Sequence, residues 1–312
     1  MARSRPTAGD AVTTTASART STSVRSIGRR TGGLARISLF GIVRYLVMVV
    51  VAGLILVPIG YAVLGGFKTN GQLAGNPGAI LPNPWVFENY TDVLFGANAA
   101  VFWREAANSL IVATIAVTLT VGLASLAAFA FARFVFRGRE ATYTLFVFGL
   151  LFPSAVAILP LYILVRQLGL SGNLLGVALP QAAFALPLTI IILRPFFRSI
   201  PVELEDAARI DGCSSFGFFW RVLLPLARPA LATVSVLAIV TTWNAFLLPL
   251  ILLNGADQWT LPLGVMNFST QYSSDMARVL AFTVVAIVPA ILFYVVAERQ
   301  IVGGLASGAV KG

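Results

Sequence analysis

The sequence predicts an all-α membrane protein with six transmembrane helices, a short helical element in one cytosolic loop, and both termini in the cytosol. Two features of composition favour this class: hydrophobic residues make up 58% of the 312 residues, and charged residues only 11%. That balance is too apolar for a soluble globular domain and is typical of a polytopic membrane protein. The third observation is that six apolar stretches each approach the roughly 20 residues that a helix needs to cross a bilayer.

The six apolar stretches define the predicted order of the spans. They cover approximately residues 45–65, 107–131, 143–165, 174–192, 230–253 and 279–297. Prolines such as Pro153, Pro160 and Pro289 lie within or near these stretches. A membrane bundle tolerates such prolines because neighbouring helices and water can satisfy the carbonyls that they free.

The N-terminal residues differ sharply in composition from the rest of the chain. Residues 1–40 are predicted to be a disordered basic cytosolic tail, and residues 41–312 one transmembrane domain. Residues 1–44 contain eight arginines against the single acid Asp10, among many Ser, Thr and Ala residues. Arginines before a first span fit the positive-inside rule and attraction to anionic membrane lipid. A mitochondrial transit peptide has a similar composition and stays open as an alternative.

Basic residues also predict which loops face the cytosol. Arg133, Arg137 and Arg139 follow the second apolar stretch, whereas residues 66–106 contain more acids than bases. With six spans and the N-terminus inside, residues 201–229 also lie on the cytosolic side.

Residues 201–229 are the most polar part of the second half of the chain. Pro201 suits the first helical position, and Glu205 and Asp206 follow where the helix dipole favours acids. Ala207 and Ala208 continue the helix with side chains small enough for another surface to approach closely. From these residues alone, a docking element and an ordinary cytosolic helical hairpin are both open.

A stop and a second helix are predicted in the same segment. Gly212 is expected to end the first helix, because glycine tolerates the left-handed conformation. Ser214 or Ser215 can cap a second, aromatic-rich helix over residues 216–224, which Pro225 and Pro229 are expected to close. The segment therefore predicts a helix, a tight turn and another helix at the membrane surface.

The residue spacing of this segment resembles the EAA loop of ABC importer permeases. Asp206-Ala207-Ala208 is followed after three residues by Gly212, after nine more by Val222, and then by Leu224-Pro225. The family has Glu at the position of Asp206 and Ile at that of Val222. In the family, this loop forms a coupling helix that inserts into a groove of a cytosolic ATPase. The resemblance implies a coupling role for Pro201, Glu205, Asp206, Ala207, Ala208, Asp211, Gly212, Leu224 and Pro225.

Further motifs extend the resemblance, in the same order, over about residues 41–312. They resemble carbohydrate-type permeases of the maltose-G-like and glycerol-phosphate-E-like kind: Phe67-Lys68-Thr69-Asn70, Glu88-Asn89-Tyr90, Asn108-Ser109-Leu110, Pro160-Leu161-Tyr162, Trp243-Asn244 and the C-terminal residues 308–312. The resemblance implies a permease subunit in the bacterial plasma (inner) membrane that imports a sugar or a related polyol or glycerol-phosphate-type solute. The implied partners are two ATP-binding subunits, which would hold ATP and Mg, a second non-identical permease and an extracytoplasmic solute-binding protein.

The absence of several chemical groups excludes other classes of function. The chain contains no histidine, which excludes His-based acid–base catalysis and His-ligated metal sites. No lysine follows a glycine as in a phosphate-binding loop, so the chain is not expected to be an ATPase or to hold a cofactor or metal itself. The predicted span interiors carry no Asp, Glu or Lys, which counts against the alternative of a stand-alone secondary transporter. The basic charge is attributed to the membrane and not to nucleic acid.

Two sets of residues are candidates for contact with the solute or its carrier. Polar and aromatic groups within the spans are suited to a sugar-like substrate: Gln181, Thr241, Thr242, Trp243 and Asn244. The alternative is that these groups only pack and hydrogen-bond between helices. The loop after the fifth stretch offers contacts for an external binding protein: Trp259, Met266, Phe268 and Tyr272. The alternative there is an aromatic belt at the membrane interface.

Overall fold

The computed structural model describes residues 39–269 and 274–309, with side chains for residues 41–269 and 274–295. Over these residues the fold is all-helical and its only β pairing is one bridge between Ser269 and Ser274, which confirms the predicted class. The chain divides into two compact units, residues 1–53 and 54–312. Of the first unit only residues 39–53 are described, so most of the predicted tail lies outside the described residues.

Thirteen helices, interrupted by one π turn and one 3-10 helix, make up the described chain. The first seven are α1 (Leu39–Gly65), α2 (Asn70–Gly75), α3 (Glu88–Phe95), α4 (Ala99–Arg133), α5 (Arg139–Gly149), α6 (Ser154–Gln167) and α7 (Leu174–Ser199). The 201–229 segment contributes α8 (Val202–Ile210), α9 (Ser215–Phe218), the π turn Phe219–Leu223 and α10 (Leu224–Leu226). The last elements are α11 (Arg228–Trp243), α12 (Leu247–Leu252), the 3-10 helix Leu261–Phe268 and α13 (Met276–Ala309).

Four of the described helices are long and apolar enough to cross a membrane singly. They are Gly41–Gly65 within α1, Ala99–Arg133, Leu174–Ser199 and Met276–Val295 within α13. Two bent pairs also qualify if each pair counts as one span: Arg139–Gly149 with Ser154–Gln167, and Ser215–Leu226 with Arg228–Trp243. The number of candidate spans among the described residues is therefore four to six.

The third predicted span, residues 143–165, is not one straight helix. The chain breaks between α5 and α6, whose axes differ by 99°. The physical reason lies at Pro153, which takes the N-cap position of α6 in an extended conformation and has no N–H to continue the helix from α5. Pro160, in contrast, is accommodated inside α6.

The fifth predicted span, residues 230–253, is also interrupted. Its helix α11 has 16 residues and ends at Trp243, which gives a length of about 24 Å against a hydrocarbon core of about 30 Å. Residues 244–246 separate it from the short α12. The apolar composition of the stretch continues through the break, so counting apolar residues could not locate it.

The 201–229 segment packs onto the ends of the long helices. Its Phe218, Phe219 and Leu223 join a buried cluster with side chains of α4, α7 and α11. Helices α4 and α7 make the most extensive contact of any pair in the described chain. The second helix of the segment is thus part of the same apolar core as the spans.

Candidate functional site

Helix α8 is a short helix with a defined stop. Gly212 has a φ of +79°, as the sequence predicts. Its amide donates to the carbonyl of Arg209 (3.0 Å), and the amide of Cys213 donates to that of Ala208 (2.8 Å). These two bonds form a Schellman motif, which satisfies carbonyls that the helix end would otherwise leave unpaired. Pro201 lies just before the first helical residue, at the N-cap.

The two faces of α8 have different environments. Glu205 and Ala208 face the protein: Glu205 is buried, and Ala208 packs against the core cluster of α4 and α7. Asp206, Ala207 and Ile210 face away from it, and Ile210 is 87% exposed. A protruding apolar side chain beside a carboxylate and an alanine is a surface suited to contact with another protein.

Glu205 is held inside the protein by two arginines. Its Oε1 atom accepts a hydrogen bond from Arg209 one turn later (2.6 Å), and its Oε2 atom lies 3.8 Å from Arg133 Nη1. The side chain of Arg133 is only 4% exposed and that of Glu205 only 6%. Glu205 therefore contacts the protein's own α4, whereas Asp206 next to it remains exposed.

The second helix of the segment begins at Ser214. The Ser214 hydroxyl accepts a hydrogen bond from the amide of Gly217 (3.1 Å), so Ser214 and not Ser215 is the cap. Phe216 and Trp220 are exposed and lie edge to face, with ring centroids 6.1 Å apart.

The expectation that Pro225 closes this second helix is wrong. Helical structure continues through Pro225 to Leu226, after a π turn at Phe219–Leu223. Pro225 lies in the first turn of the short α10, directly after the π turn. Leu224 before it packs partly against the core cluster, and Pro225 itself is exposed.

Arg133 and Arg194 are functional candidates that the sequence analysis does not single out. Arg133 Nη2 donates to the carbonyls of Phe197 (2.8 Å) and Ile200 (2.7 Å) at the end of α7. Arg194 of α7 donates in turn to the carbonyl of Phe131 near the end of α4 (3.3 Å). Each helix thus supplies a cation to the other's C-terminus, where the helix dipole favours positive charge. A basic residue in the last turns of an apolar stretch is the signal that could have indicated this.

The candidates for the solute path lie in different surroundings. Gln181 is buried within α7, and neither atom of its amide has a hydrogen-bond partner. Thr242 and Trp243 are buried, and Trp243 Nε1 donates to the carbonyl of Ala286 in α13 (3.3 Å). Thr241 and Asn244 are exposed, and each side chain donates to the carbonyl four residues earlier. The five candidates therefore differ in exposure: three are buried, and Thr241 and Asn244 are exposed.

The loop between α12 and α13 is fastened to the first turns of α4. Asn108 Nδ2 donates to the carbonyls of Asp257 (3.1 Å) and Trp259 (3.0 Å). The Ser109 hydroxyl accepts from the amide of Leu261 (2.7 Å). The fully buried Glu105 accepts from Asn267 Nδ2 (2.8 Å). These bonds order the loop up to the 3-10 helix.

The four binding-protein candidates in this loop are placed differently. Trp259 and Phe268 are partly buried and pack against two apolar clusters of the helix bundle. Met266 is exposed. Tyr272 lies outside the described residues. No group of His, Cys, Asp and Glu that could hold a metal occurs among the residues that the structure describes.

An aromatic cluster covers the segment between α2 and α3. Phe67 packs against Trp85, Phe87 and Tyr90, with ring centroids 4.5–5.6 Å apart. The Tyr90 hydroxyl donates to the carbonyl of Val63 (2.8 Å), and burial raises the pKa of this phenol above its ordinary value. The motif residues around Phe67 and Tyr90 thus act together in packing.

Comparison with known proteins gives the family and the relatives of this chain. Residues 120–301 match the family described as the binding-protein-dependent transport system inner membrane component. The chain is 35% identical to the diacetylchitobiose uptake system permease protein NgcG of Streptomyces coelicolor, over 86% of this chain and 88% of that one. It is 36% identical to the trehalose transport system permease protein SugB of Mycobacterium tuberculosis, over 75% and 85%.

A solved structure has the same fold. It belongs to a bacterial ABC transporter involved in the import of the acidic polysaccharide alginate, and the superposition has a TM-score of 0.73. The two chains are 26% identical, and the match covers 86% of this chain and 99% of the other. The matched family region contains α8, all of α7 and the C-terminal part of α4, including Arg133.

Proposed function

Because this chain belongs to the family of binding-protein-dependent transport system inner membrane components, we propose that it is the permease subunit of an ATP-driven sugar importer, with α8 as its contact to a separate ATP-binding subunit. It is a multi-pass protein of the bacterial inner membrane and a transport component, not itself an enzyme. The observation that carries the proposal is α8 itself, a capped helix whose outer face is free of contacts with the rest of the described chain.

The outer face of α8 supports docking by its shape and chemistry. Ile210 protrudes, Ala207 leaves room beside it, and Asp206 offers a carboxylate to a basic partner. Phe216 and Trp220 extend the exposed apolar surface along the second helix. Apolar and aromatic side chains at the centre with a charge at the rim are typical of protein interfaces. ATP and Mg would be held by the docked subunits.

The proposed solute is a sugar or oligosaccharide. The names of the two relatives support this class, because they refer to the uptake of diacetylchitobiose and the transport of trehalose. Within this chain, Thr241 and Asn244 are the candidates that stay exposed, and hydroxyl and amide groups suit the hydroxyls of a sugar. Gln181 is a further candidate, because its buried amide has no partner in the described chain.

The family description supports a solute-binding protein as a further partner. A binding-protein-dependent system requires an external solute-binding protein, for which exposed Met266 and the neighbouring loop are the proposed contact. Two ATP-binding subunits and a second, non-identical permease would complete the complex. In this proposal, α8 and both termini lie in the cytosol.

Co-purification tests the proposal. The tagged chain is isolated from native membranes in a mild detergent, and bound proteins are identified by mass spectrometry. Asp206→Arg is compared with Asp257→Arg, which makes the same charge change at an exposed acid of the α12–α13 loop. We expect the wild type and Asp257→Arg to retain an ATP-binding subunit and a second permease, and Asp206→Arg to lose the ATP-binding subunit.

Two results would count against this function. Wild-type chain that is stably inserted but brings down no ATP-binding subunit would overturn the importer assignment. Equal recovery of that subunit with both variants would leave the importer intact but remove α8 as its contact.

A further inference from the structure

Few side chains of α8 contact the rest of the protein. Its apolar side chains Val202, Leu204 and Ile210 are all exposed, and only Ala208 packs against the core cluster. A nine-residue helix is marginally stable alone, because nucleation is costly and few backbone bonds form. The position of α8 must therefore depend strongly on its few contacts with the spans.

Arg133 makes the buried polar contact between the spans and α8. This side chain caps the end of α7 through the carbonyls of Phe197 and Ile200, and its other terminal nitrogen meets Glu205. Arg133 itself belongs to the last turn of α4. One buried guanidinium consequently joins three helices: α4, α7 and α8.

We propose that Arg133 is the positioning residue of the coupling mechanism, holding α8 in a fixed orientation on the joined ends of α4 and α7 through Glu205. This inference rests on the proposed function, in which an ATP-binding subunit moves α8. A docked subunit can shift the spans only if α8 moves with them as one body, because a loosely attached helix would absorb the motion.

The geometry explains why an arginine is needed at this position. The Arg133 guanidinium is planar and uses both of its terminal nitrogens. Nη2 donates to the carbonyls of Phe197 and Ile200, and Nη1 lies near the Glu205 carboxylate. Lysine has a single ammonium on a flexible stem and cannot hold three acceptors in this arrangement. Removing either charge of the pair would leave its partner buried and incompletely compensated.

Arg194 joins α7 to α4 and α5 by contacts that do not involve α8. It donates to the carbonyl of Phe131 in α4, and it forms an ion pair with Glu140 at the start of α5 (2.5 Å). The guanidinium of Arg194 also lies 3.7 Å from the centroid of the Tyr143 ring. The ends of α4, α5 and α7 are thus joined by charged groups independently of α8, so loss of the Arg133–Glu205 contact should release α8 and not the bundle.

The test measures attachment and coupling separately. Hydrogen–deuterium exchange of residues 202–210 reports how often α8 opens, and uptake per ATP hydrolysed by the reconstituted complex reports coupling. In Glu205→Gln, which keeps the carbonyl contacts of Arg133, we expect exchange over 202–210 to become about 10- to 100-fold faster, as for loss of a charged buried contact. We expect uptake per ATP to fall about tenfold or more, while the complex still assembles.

Two arginine variants define the role of the charge pair. Arg133→Lys should show both defects less strongly, because it keeps the charge but loses the geometry. Arg198→Gln is the control: it removes an ion pair outside α8, between Arg198 and Glu140, whose side chains are 45% and 58% exposed, and surface pairs contribute only about 0–1 kcal/mol. It should leave exchange and coupling near the wild-type values.

The outcomes separate failure of this inference from failure of the proposed function. Unchanged exchange over 202–210 in Glu205→Gln would overturn the anchoring role, whether or not an ATP-binding subunit is present. Faster exchange with unchanged uptake per ATP would show that the contact is only structural and would also overturn the inference. A wild-type chain without any ATP-binding subunit would refute the proposed function, while exchange would still measure the anchor.

Discussion

Replacing Gly212 by alanine tests whether transport depends on the turn that ends α8. Gly212 has a φ of +79°, and no heavy atom lies within 4 Å of the position that a Cβ would occupy. The substitution therefore adds no steric clash, and its cost is the left-handed conformation alone, about 1–2 kcal/mol. That cost corresponds to about a 5- to 30-fold shift in the equilibrium between the formed and the opened turn.

Gly138 provides a matched control for this substitution. It has a φ of +84° in the loop before α5, and a Cβ there would also meet no atom within 4 Å. Gly138→Ala thus carries the same backbone cost outside the 201–229 segment. Both variants should lose similar thermal stability, which is measured by unfolding of the purified complex.

Sugar uptake by cells that contain equal amounts of assembled complex should separate the two glycines. We expect uptake to fall up to about 30-fold in Gly212→Ala and to stay near wild type in Gly138→Ala. Gly212→Asn should be milder, since asparagine tolerates this conformation, and Gly212→Pro most severe, since it also removes the bond to Arg209. Equal uptake in the two alanine variants would refute the reasoning.

Five other substitutions test packing and the solute path. Ser109→Ala removes the hydroxyl that accepts from the buried Leu261 amide at 2.7 Å. This should lower the free energy of unfolding by about 1–3 kcal/mol and speed hydrogen exchange over residues 261–268. Unchanged exchange would contradict the prediction. Gly264→Ala would place a Cβ against the Glu105 carboxylate and the Phe282 ring, and it should lower the free energy of unfolding by about 1–3 kcal/mol. Gly122→Ala, in open space within α4, should not lower it. Trp243 is expected to act in packing, so Trp243→Phe should leave the Michaelis constant of uptake unchanged. Asn244 is expected to bind the sugar through its exposed amide, so Asn244→Ala should raise the Michaelis constant. A raised constant in Trp243→Phe with an unchanged one in Asn244→Ala would contradict both expectations.

The helical class and the 201–229 segment could be predicted because both depend on local sequence. Apolar runs long enough to span a bilayer identify the long helices, and a glycine with a left-handed conformation identifies the end of α8. The breaks at Pro153 and after Trp243 were not predicted, since apolar composition runs through both positions. A proline can be accommodated or can end a helix, and the neighbouring helices decide between these outcomes.

The inward contacts of the site could not be read from local sequence. Glu205 and Asp206 are adjacent and chemically alike, yet one is buried against Arg133 and the other is exposed. Their difference arises from the way in which α8 lies on α4 and α7, a contact between residues about 70 positions apart along the chain. Trp243 is a second example. The polar Asn244 follows it in sequence, but the Trp243 indole N–H donates to the carbonyl of Ala286 in α13.

ATP-dependent uptake in proteoliposomes tests the central claim most directly. The complex isolated with this chain is reconstituted, and uptake of labelled oligosaccharides is measured with and without ATP on the α8 side and the solute-binding protein on the other. We expect uptake to require both and to disappear in Asp206→Arg. Uptake that continues without any ATP-binding subunit would contradict it and identify a stand-alone secondary transporter.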